Sequence, residues 1–172
     1  TGSFIPKNKV DNNSFSDKLF FDKDGNEYPN SNDEIIEKFQ TITGIKERRY
    51  ANKEHKTSDL ATFAAQNAIK DAGIDNETID YIIVAHNFGD IEYGTNQYIA
   101  LPSVATMVKH KLDILNENCV AYDIIFGCPG WIEGVIQASA FIKSKMAKRC
   151  LVIGADTLSR TIDESDRDSM IF

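Results

Sequence analysis

The sequence predicts an α/β fold with a mixed, mostly buried sheet. Residues 81–85, 119–125 and 149–156 form three apolar runs that are continuous rather than alternating. Such runs are typical of strands buried on both faces. Helical patterns separate the runs, and this alternation indicates a layered sheet with helices on both faces. The length of 172 residues fits one domain or lobe, and we predict that residues 1–172 form a single lobe.

Charge and hydropathy argue against several classes of partner. The chain has a net charge of −7, and 42% of its residues are hydrophobic. Nucleic acids and anionic membrane surfaces both require a basic face, which this chain lacks. The sequence has no apolar run long enough for a transmembrane helix and no signal peptide at its N-terminus. We therefore expect neither nucleic-acid nor membrane partners.

The cysteines indicate a reducing compartment. Cys119, Cys128 and Cys150 cannot form an even set of disulfides, which favours a cytoplasmic protein. No cluster of His and Cys has the spacing of metal ligands, so we predict no metal and no cofactor. Cys119 and Cys150 lie within apolar strand patterns, where a core position is expected.

The first third of the chain is polar and rich in loops. Residues 22–26 have the composition of a turn, and a small hairpin is possible in the region 7–33. Ser31 and Glu34 have the spacing of a capping box, which predicts the start of a short helix there.

Three further helices are predicted. Thr57 and Ser58 are expected to cap the first of them, and Gly73 to end it, with Ile74 folding back as in a Schellman motif. Pro102 is expected at the start of the second, which would run to about residue 112. The third should extend from 129 to about 145, and its apolar residues surround most of its circumference, which predicts a central, buried helix.

Cys128 stands between a predicted strand and this last helix. Gly127 and Pro129 flank it, and proline is tolerated in the first helical turn because its missing N–H would have no helical partner there. Unpaired N–H groups and the positive end of the helix dipole favour a thiolate, which is the nucleophilic form of cysteine. The same N–H groups could hold the oxyanion of an attacked thioester. The alternative is a small apolar residue at a tight turn.

Several segments together resemble the β-ketoacyl-acyl-carrier-protein synthase III family of thiolase-fold condensing enzymes. The resemblance covers nearly the whole chain, and its most specific segments are Thr-Gly-Ile-Lys-Glu-Arg-Arg at 43–49 and Gly-Cys-Pro-Gly-Trp at 127–131. The others are Thr-Gly-Ser-Phe-Ile-Pro at 1–6, Ala-Gly-Ile at 72–74, Leu-Pro-Ser at 101–103, Ala-Tyr-Asp at 121–123, Val-Ile-Gly-Ala-Asp at 152–156 and the stretch from Leu158 to Phe172.

The resemblance implies a fold and an activity. The chain would be the N-terminal half of a layered αβαβα architecture, in which Cys128 accepts an acyl group from a thioester. Malonyl-acyl-carrier-protein would then be decarboxylated and condensed onto that group, as in fatty-acid biosynthesis. Acyl-CoA and acyl-carrier protein would be the partners, and the enzyme would be a homodimer. The family's catalytic His and Asn would lie in a C-terminal half beyond this chain, so the chain alone would be inactive.

Other functions remain open on the sequence. A polyketide-type or hydroxymethylglutaryl-CoA-synthase-like enzyme would use the same cysteine. A non-catalytic lobe that binds a carrier protein or dimerises is an alternative of another class.

The resemblance also points to substrate-binding positions. Arg167 matches an arginine that the family uses to contact CoA, whereas Lys38 and Ile42 stand where the best-known members have a Trp and an Arg. Leu101 replaces an aromatic residue that reaches across the dimer, so a longer or differently shaped acyl group is expected to fit. The histidines His55, His86 and His110 match no family motif, and His86 is expected to be a core or surface residue.

Three charged residues are expected to be structural. We predict that Arg48 and Arg49 form a structural salt-bridge pair and that Asp156, which follows a buried strand, is a hydrogen-bonded structural carboxylate.

Overall fold

The computed structural model describes residues 1–95 and 97–172. The chain divides into two compact units. The larger unit contains residues 1–5 and 53–157, and the smaller one contains residues 6–52 and 158–172. The grouping of residues 1–172 into a single lobe stays a prediction.

The larger unit is built on a parallel sheet of three strands. In chain order these are β3 (Tyr81–His86), β6 (Val120–Ile125) and β7 (Cys150–Gly154). The other strands are β1 (Asn8–Asp11) and β2 (Glu47–Tyr50) of the smaller unit, and β4 (Asp90–Ile91) and β5 (Tyr98–Ile99) in a loop of the larger unit. The sheet order is β6-β3-β7, so β3 is central, and Ile83 lies opposite both Tyr122 and Val152. The three apolar runs therefore form strands, as predicted.

Helices cover both faces of this sheet. The helices α2 (Thr57–Ala72) and α3 (Val104–Lys111) share an apolar core with one face, which includes Ile82 and Val84 of β3. The helix α4 (Gly130–Lys143) lies on the opposite face, where Ile83 approaches Gly134. Alternate β3 side chains thus enter the two layers, and this explains why the run is apolar throughout.

The start of α2 differs from the prediction. Thr57 and Ser58 do not cap the helix, because the N-cap is Lys56 and its backbone N–H donates to the Asp59 carboxylate over 2.8 Å. Ser58 instead donates through its hydroxyl to buried Asp90, at 2.7 Å. The Ser58 side chain, which the local sequence predicts to cap the helix, therefore binds Asp90, a residue distant in the sequence, instead.

The start of α3 also differs. Ser103, rather than Pro102, caps the helix, and its hydroxyl accepts from the Thr106 N–H at 3.1 Å. The predicted end of α2 is confirmed, because Gly73 is left-handed with φ 61° and the Ile74 N–H reaches the Ile69 carbonyl at 3.5 Å. A short antiparallel pair, β4 (Asp90–Ile91) and β5 (Tyr98–Ile99), lies in the loop before α3.

The smaller unit combines one helix with a two-stranded sheet. The strand β1 (Asn8–Asp11) pairs antiparallel with β2 (Glu47–Tyr50), and α1 (Asn32–Thr43) lies between them in the chain. The predicted capping box at the start of α1 is present, and the turn at 22–26 connects a bridge between Phe21 and Glu27. The core of this unit consists of Phe15, Phe20, Ile35 and Met170.

Arg48 and Arg49, which we expected to form a structural salt-bridge pair, behave differently from each other. Arg49 pairs with Glu47, but Arg48 is buried and donates to Asn12 Oδ1 and to the Met170 carbonyl. Burial lowers the pKa of Arg48. Arg48 therefore crosslinks the smaller unit through neutral acceptors.

Across the described ranges, the structure contains no helix with both the length and the apolar character needed to cross a bilayer.

Candidate active site

Cys128 lies on a turn at the carboxyl edge of the parallel sheet. The strand β6 ends at Ile125, and Gly127 then adopts a left-handed φ of 68°, a conformation that glycine accepts without strain. Pro129 is the N-cap of α4, and the helix begins at Gly130, one residue later than predicted. The Cys128 side chain is exposed. The predicted sequence of strand, tight turn and helix is confirmed.

A hydrogen bond closes this turn, and the helix after it begins close to the sheet. The Gly130 N–H donates to the Gly127 carbonyl at 3.0 Å. A Cβ added to Gly130 would lie 3.1 Å from the Ala85 Cβ, so a small residue there allows α4 to begin close to β3. Because the first N–H groups of any helix lack helical partners, Cys128 lies beside a source of hydrogen-bond donors. That these groups bind an oxyanion stays a prediction.

The helix α4 is not enclosed, contrary to the prediction of a buried helix. Its buried residues are the small ones, Gly130, Gly134 and Ala138, which face the sheet. Ile132 and Ile136 on its other side are 58% and 57% exposed. The physical reason is that the described residues supply only one layer against α4. An apolar outer face of this kind is typical of a helix with a further packing partner.

The central strand ends in His86, which is buried and fully hydrogen-bonded. Its Nδ1 accepts from the Gly89 N–H at 2.9 Å, so its Nε2 carries the proton and donates to Asp123 at 2.8 Å. Asp123 also accepts from the Val104 and Ala105 N–H groups at the start of α3, each at 2.8 Å. Burial acts to raise the Asp123 pKa, but these hydrogen bonds outweigh it and lower that pKa.

Asn87 follows His86 and is joined to Asp156, which comes after β7. The backbone N–H of Asn87 donates to Asp156 Oδ1 at 3.0 Å, and its side-chain Nδ2 donates to Oδ2 at 2.7 Å. Burial raises the pKa of Asp156, and the hydrogen bonds from Asn87 only partly oppose this. The sequence prediction that Asp156 is a hydrogen-bonded structural carboxylate agrees with this geometry.

The other two cysteines are shielded. Cys119 belongs to the core between the sheet and α2 and α3, and Cys150 is half-buried on β7. Burial raises the pKa of both thiols, which disfavours the nucleophilic thiolate. Cys128 is thus the exposed thiol of the three. The part of the chain that the structure describes holds no group of three or more His, Cys, Asp or Glu side chains placed for a metal ion.

Arg167 belongs to the smaller unit and borders a cavity of about 350 Å³. Lys38 and Ile42, the two positions where the sequence departs from the best-known members of the family, border the same cavity. The Arg167 guanidinium lies over the Tyr28 ring, 4.3 Å from its centre. The predicted binding residue Arg167 and these two positions therefore border one cavity. Leu101, in the larger unit, is 84% exposed and contributes to no core.

Sequence reasoning missed the paired side chains at the end of β3. Asn87 and Asp156 each follow a buried strand directly or within two residues. Since carboxyl ends of parallel strands meet at one edge of a sheet, polar residues just after such strands are a usable signal. His86 was expected to be a core or surface residue, and it is a core residue.

Comparison with known proteins connects this geometry to one family. Residues 122–172, which include the Cys128 turn, match the model of 3-oxoacyl-[acyl-carrier-protein (ACP)] synthase III. The β-ketoacyl-[acyl-carrier-protein] synthase III of Neisseria meningitidis serogroup C is 40% identical over 171 residues, which cover 99% of this chain and 47% of that relative. The enzyme of the same name from Paracoccus denitrificans is 36% identical over the same length. The chain is similar to synthase III enzymes over nearly its whole length.

Solved structures agree with the family in fold. The 3-oxoacyl-[acyl-carrier-protein] synthase III of Aquifex aeolicus superposes with a TM-score of 0.76 at 33% identity, over 97% of this chain and 46% of that one. The enzyme from Thermus thermophilus gives 0.75 at 30% identity. The predicted α/β, thiolase-like fold is confirmed. The chain spans about half the length of the curated relatives it matches.

Proposed function

We propose that this chain is the cysteine-bearing part of an acyltransferase that condenses an acyl thioester with malonyl-acyl-carrier-protein. The Cys128 thiolate attacks the thioester carbonyl, and the carbon–sulfur bond to the donor breaks as the acyl group moves to Cys128. The departing thiolate takes up a proton. Malonyl-acyl-carrier-protein then loses CO₂, and the resulting carbanion attacks the acyl-cysteine to give a β-ketoacyl product and a free Cys128 thiol.

One observation carries the proposal. Cys128 is exposed on a left-handed glycine turn, at the carboxyl edge of a parallel sheet and directly before a helix. Nucleophiles of acyl-transfer enzymes need such a position, because the sulfur must reach the substrate while backbone N–H groups stay close to the developing oxyanion.

The proposal extends to partners and location. Relatives at 36–40% identity are named for acyl-carrier-protein chemistry, so we include acyl-CoA and acyl-carrier protein among the partners. A homodimer, a cytoplasmic location and activity without a cofactor or metal are parts of the same proposal. The exposed apolar side of α4 supports an assembly larger than this chain.

The test is intact-protein mass spectrometry of the full-length protein after incubation with acyl-CoA and acyl-carrier-protein thioesters. We expect one acyl adduct, and its complete absence in Cys128→Ser. Cys150→Ser is the matched control, because it removes a shielded thiol, and it should still form the adduct. An adduct that survives Cys128→Ser, or no adduct from any thioester in the wild type, would contradict the proposal and favour a non-catalytic lobe.

Arg167 is proposed to bind the acyl donor through its guanidinium. Replacing it with Ala should raise KM for acyl-CoA about tenfold, because a charge-assisted hydrogen bond or a ring contact of that kind contributes about 1.5 kcal/mol. Steady-state kinetics would measure this, with Arg149→Ala as a control for the loss of one exposed cation. Equal KM values in the two variants would remove Arg167 from the site.

Leu101 is proposed to determine which acyl groups are accepted. Its replacement with Phe fills space beside the acyl group and should shift the preferred acyl chain to a shorter one. Adduct formation across a series of acyl-CoA lengths would show the shift. An unchanged profile would rule out this role.

A further inference from the structure

We infer that Asn87, oriented by Asp156, is a positioning residue for the turn that carries Cys128. The inference rests on the proposed function, since it treats Cys128 as the acyl acceptor. It adds two residues that act through the turn rather than on the substrate.

The order of the strands places Asn87 beside the turn. Asn87 is the first residue after the central strand β3, and Gly127 and Asp156 each follow a neighbouring strand by two residues. Because β6, β3 and β7 are parallel and adjacent, their carboxyl ends meet at one edge of the sheet. Asn87 therefore stands between the Cys128 turn on one side and Asp156 on the other.

The contacts of Asp156 fix which way the Asn87 amide faces. A carboxylate only accepts hydrogen bonds, so the group that meets Asp156 Oδ2 at 2.7 Å must be the NH₂ of Asn87. The amide oxygen then faces away from Asp156. The second hydrogen bond, from the Asn87 backbone N–H at 3.0 Å, prevents the pair from rotating apart.

The amide oxygen faces the turn. It lies 3.8 Å from the place where a Cβ on Gly127 would be. Apart from the chain neighbours of Gly127, no other atom of the described residues comes within 4 Å of that place. Gly127 has no side chain to pack and holds a left-handed φ of 68°, so its conformation depends on what surrounds it. Among the described residues outside the turn, the Asn87 amide oxygen is therefore the nearest atom on this side of Gly127.

Burial makes the pair rigid. Asp156 is partly buried, and burial raises its pKa, which the two hydrogen bonds from Asn87 partly oppose. On the other side of the central strand, His86 is tied to Asp123 of β6 at 2.8 Å. The end of β3 is thus fixed independently of Asn87. A change at Asn87 should disturb the turn while the sheet remains in place.

The experiment uses the full-length protein with three variants at the pair. Asn87→Ala removes the side-chain amide, and Asn87→Asp places two carboxylates next to each other. The double variant Asn87→Asp/Asp156→Asn restores one hydrogen-bond donor and one acceptor between the two positions. We expect both single variants to lower kcat at least about tenfold with KM changed less than about threefold, because a misplaced nucleophile affects the reaction more than binding. The kcat of the double variant should be at least about fivefold higher than that of Asn87→Asp.

A matched control separates positioning from general destabilisation. Asn116 is also an amide donor, but its side-chain NH₂ donates to a backbone group, the Glu77 carbonyl, at 3.1 Å. It lies before β6, at the opposite edge of the sheet. Asn116→Ala should weaken folding without lowering kcat. A second readout, the rate at which iodoacetamide alkylates Cys128, is followed by peptide mass spectrometry and should fall in Asn87→Ala and not in Asn116→Ala.

The outcomes distinguish this inference from the proposed function. If the wild type forms the Cys128 adduct and the Asn87 variants keep its kcat and alkylation rate, or fall no further than Asn116→Ala, the inference is wrong and the function stands. Failure of the double variant to exceed Asn87→Asp would also overturn it. If the wild type forms no adduct, the function fails, and the alkylation rates still decide whether Asn87 positions the turn.

Discussion

Replacement of Asp123 with Asn is expected to destabilise the fold by about 2–4 kcal/mol, since at least one buried donor then loses its acceptor. Asp123 uses both oxygens: Oδ2 accepts from His86 Nε2 and the Val104 N–H, and Oδ1 accepts from the Ala105 N–H. An amide has one oxygen, so its NH₂ must face one of these sets of donors. His86 cannot adapt, because its Nδ1 is already the acceptor for Gly89.

Denaturant unfolding of the full-length protein measures this loss, and faster hydrogen exchange at Val104 and Ala105 would locate it. Asp80→Asn is the matched control. A single oxygen of Asp80 accepts from both the Lys148 and Arg149 N–H groups, so an amide can keep both bonds. We expect that variant to lose less than about 1 kcal/mol, the value of a typical single hydrogen bond. Similar losses in the two variants would show that charge alone, and not the number of acceptors, matters.

The effect of Asp123→Asn should depend on pH with a definite sign. The folded state lowers the pKa of Asp123, so its contribution to stability is complete above the pKa of the unfolded chain, about 3.9. That contribution is lost as the pH falls through the lower, folded value. The difference in unfolding free energy between wild type and variant should therefore be constant near neutral pH and shrink below about pH 4.

Replacement of Gly134 with Ala is expected to destabilise the fold by about 1–3 kcal/mol through overpacking. A Cβ there would lie 2.8 Å from Val152 Cγ1 and 3.4 Å from Ile83 Cγ2, both of which belong to strands of the sheet. The better helix propensity of Ala offsets about 1 kcal/mol, so the contact should still decide the sign. Because α4 starts at the Cys128 turn, displacement of the helix should also slow acylation of Cys128.

A double-mutant cycle tests the cause. Val152→Ala removes the methyl group that the new Cβ would meet, and alone it leaves a cavity. We expect the double variant Gly134→Ala/Val152→Ala to lose at least about 1 kcal/mol less unfolding free energy than the two single variants lose together. Additive losses would show that the Val152 contact is not what limits residue size at position 134.

The sequence was most informative for strands that lie between two layers of helices. The three sheet strands were predicted to within a few residues, because only continuous apolar runs fit between two helical layers. The strands β1 and β2 were missed. They are short and polar, and each depends on a partner about 40 residues away, so no local period indicates them. The cap of α2 was missed for a similar reason, since Ser58 bonds to Asp90 from another loop.

The candidate site divides in the same way. The turn at Cys128 was predicted because the glycine and proline around it determine its local structure. The exposure of α4 was not, because an apolar circumference shows that a helix needs cover but not whether this chain provides it. The ties of His86 and Asn87 to carboxylates are tertiary, and only the strand order brings their members to one edge.

The hydrogen bonds of His86 determine whether it can accept a proton at this edge of the sheet. One ring nitrogen holds a proton for Asp123, and the other receives the Gly89 N–H, so the ring has no lone pair to offer an incoming proton. An imidazole with both nitrogens hydrogen-bonded in this way has a structural role. Under the proposed function, the proton that Cys128 releases on becoming a thiolate would therefore pass to water or to a base other than His86.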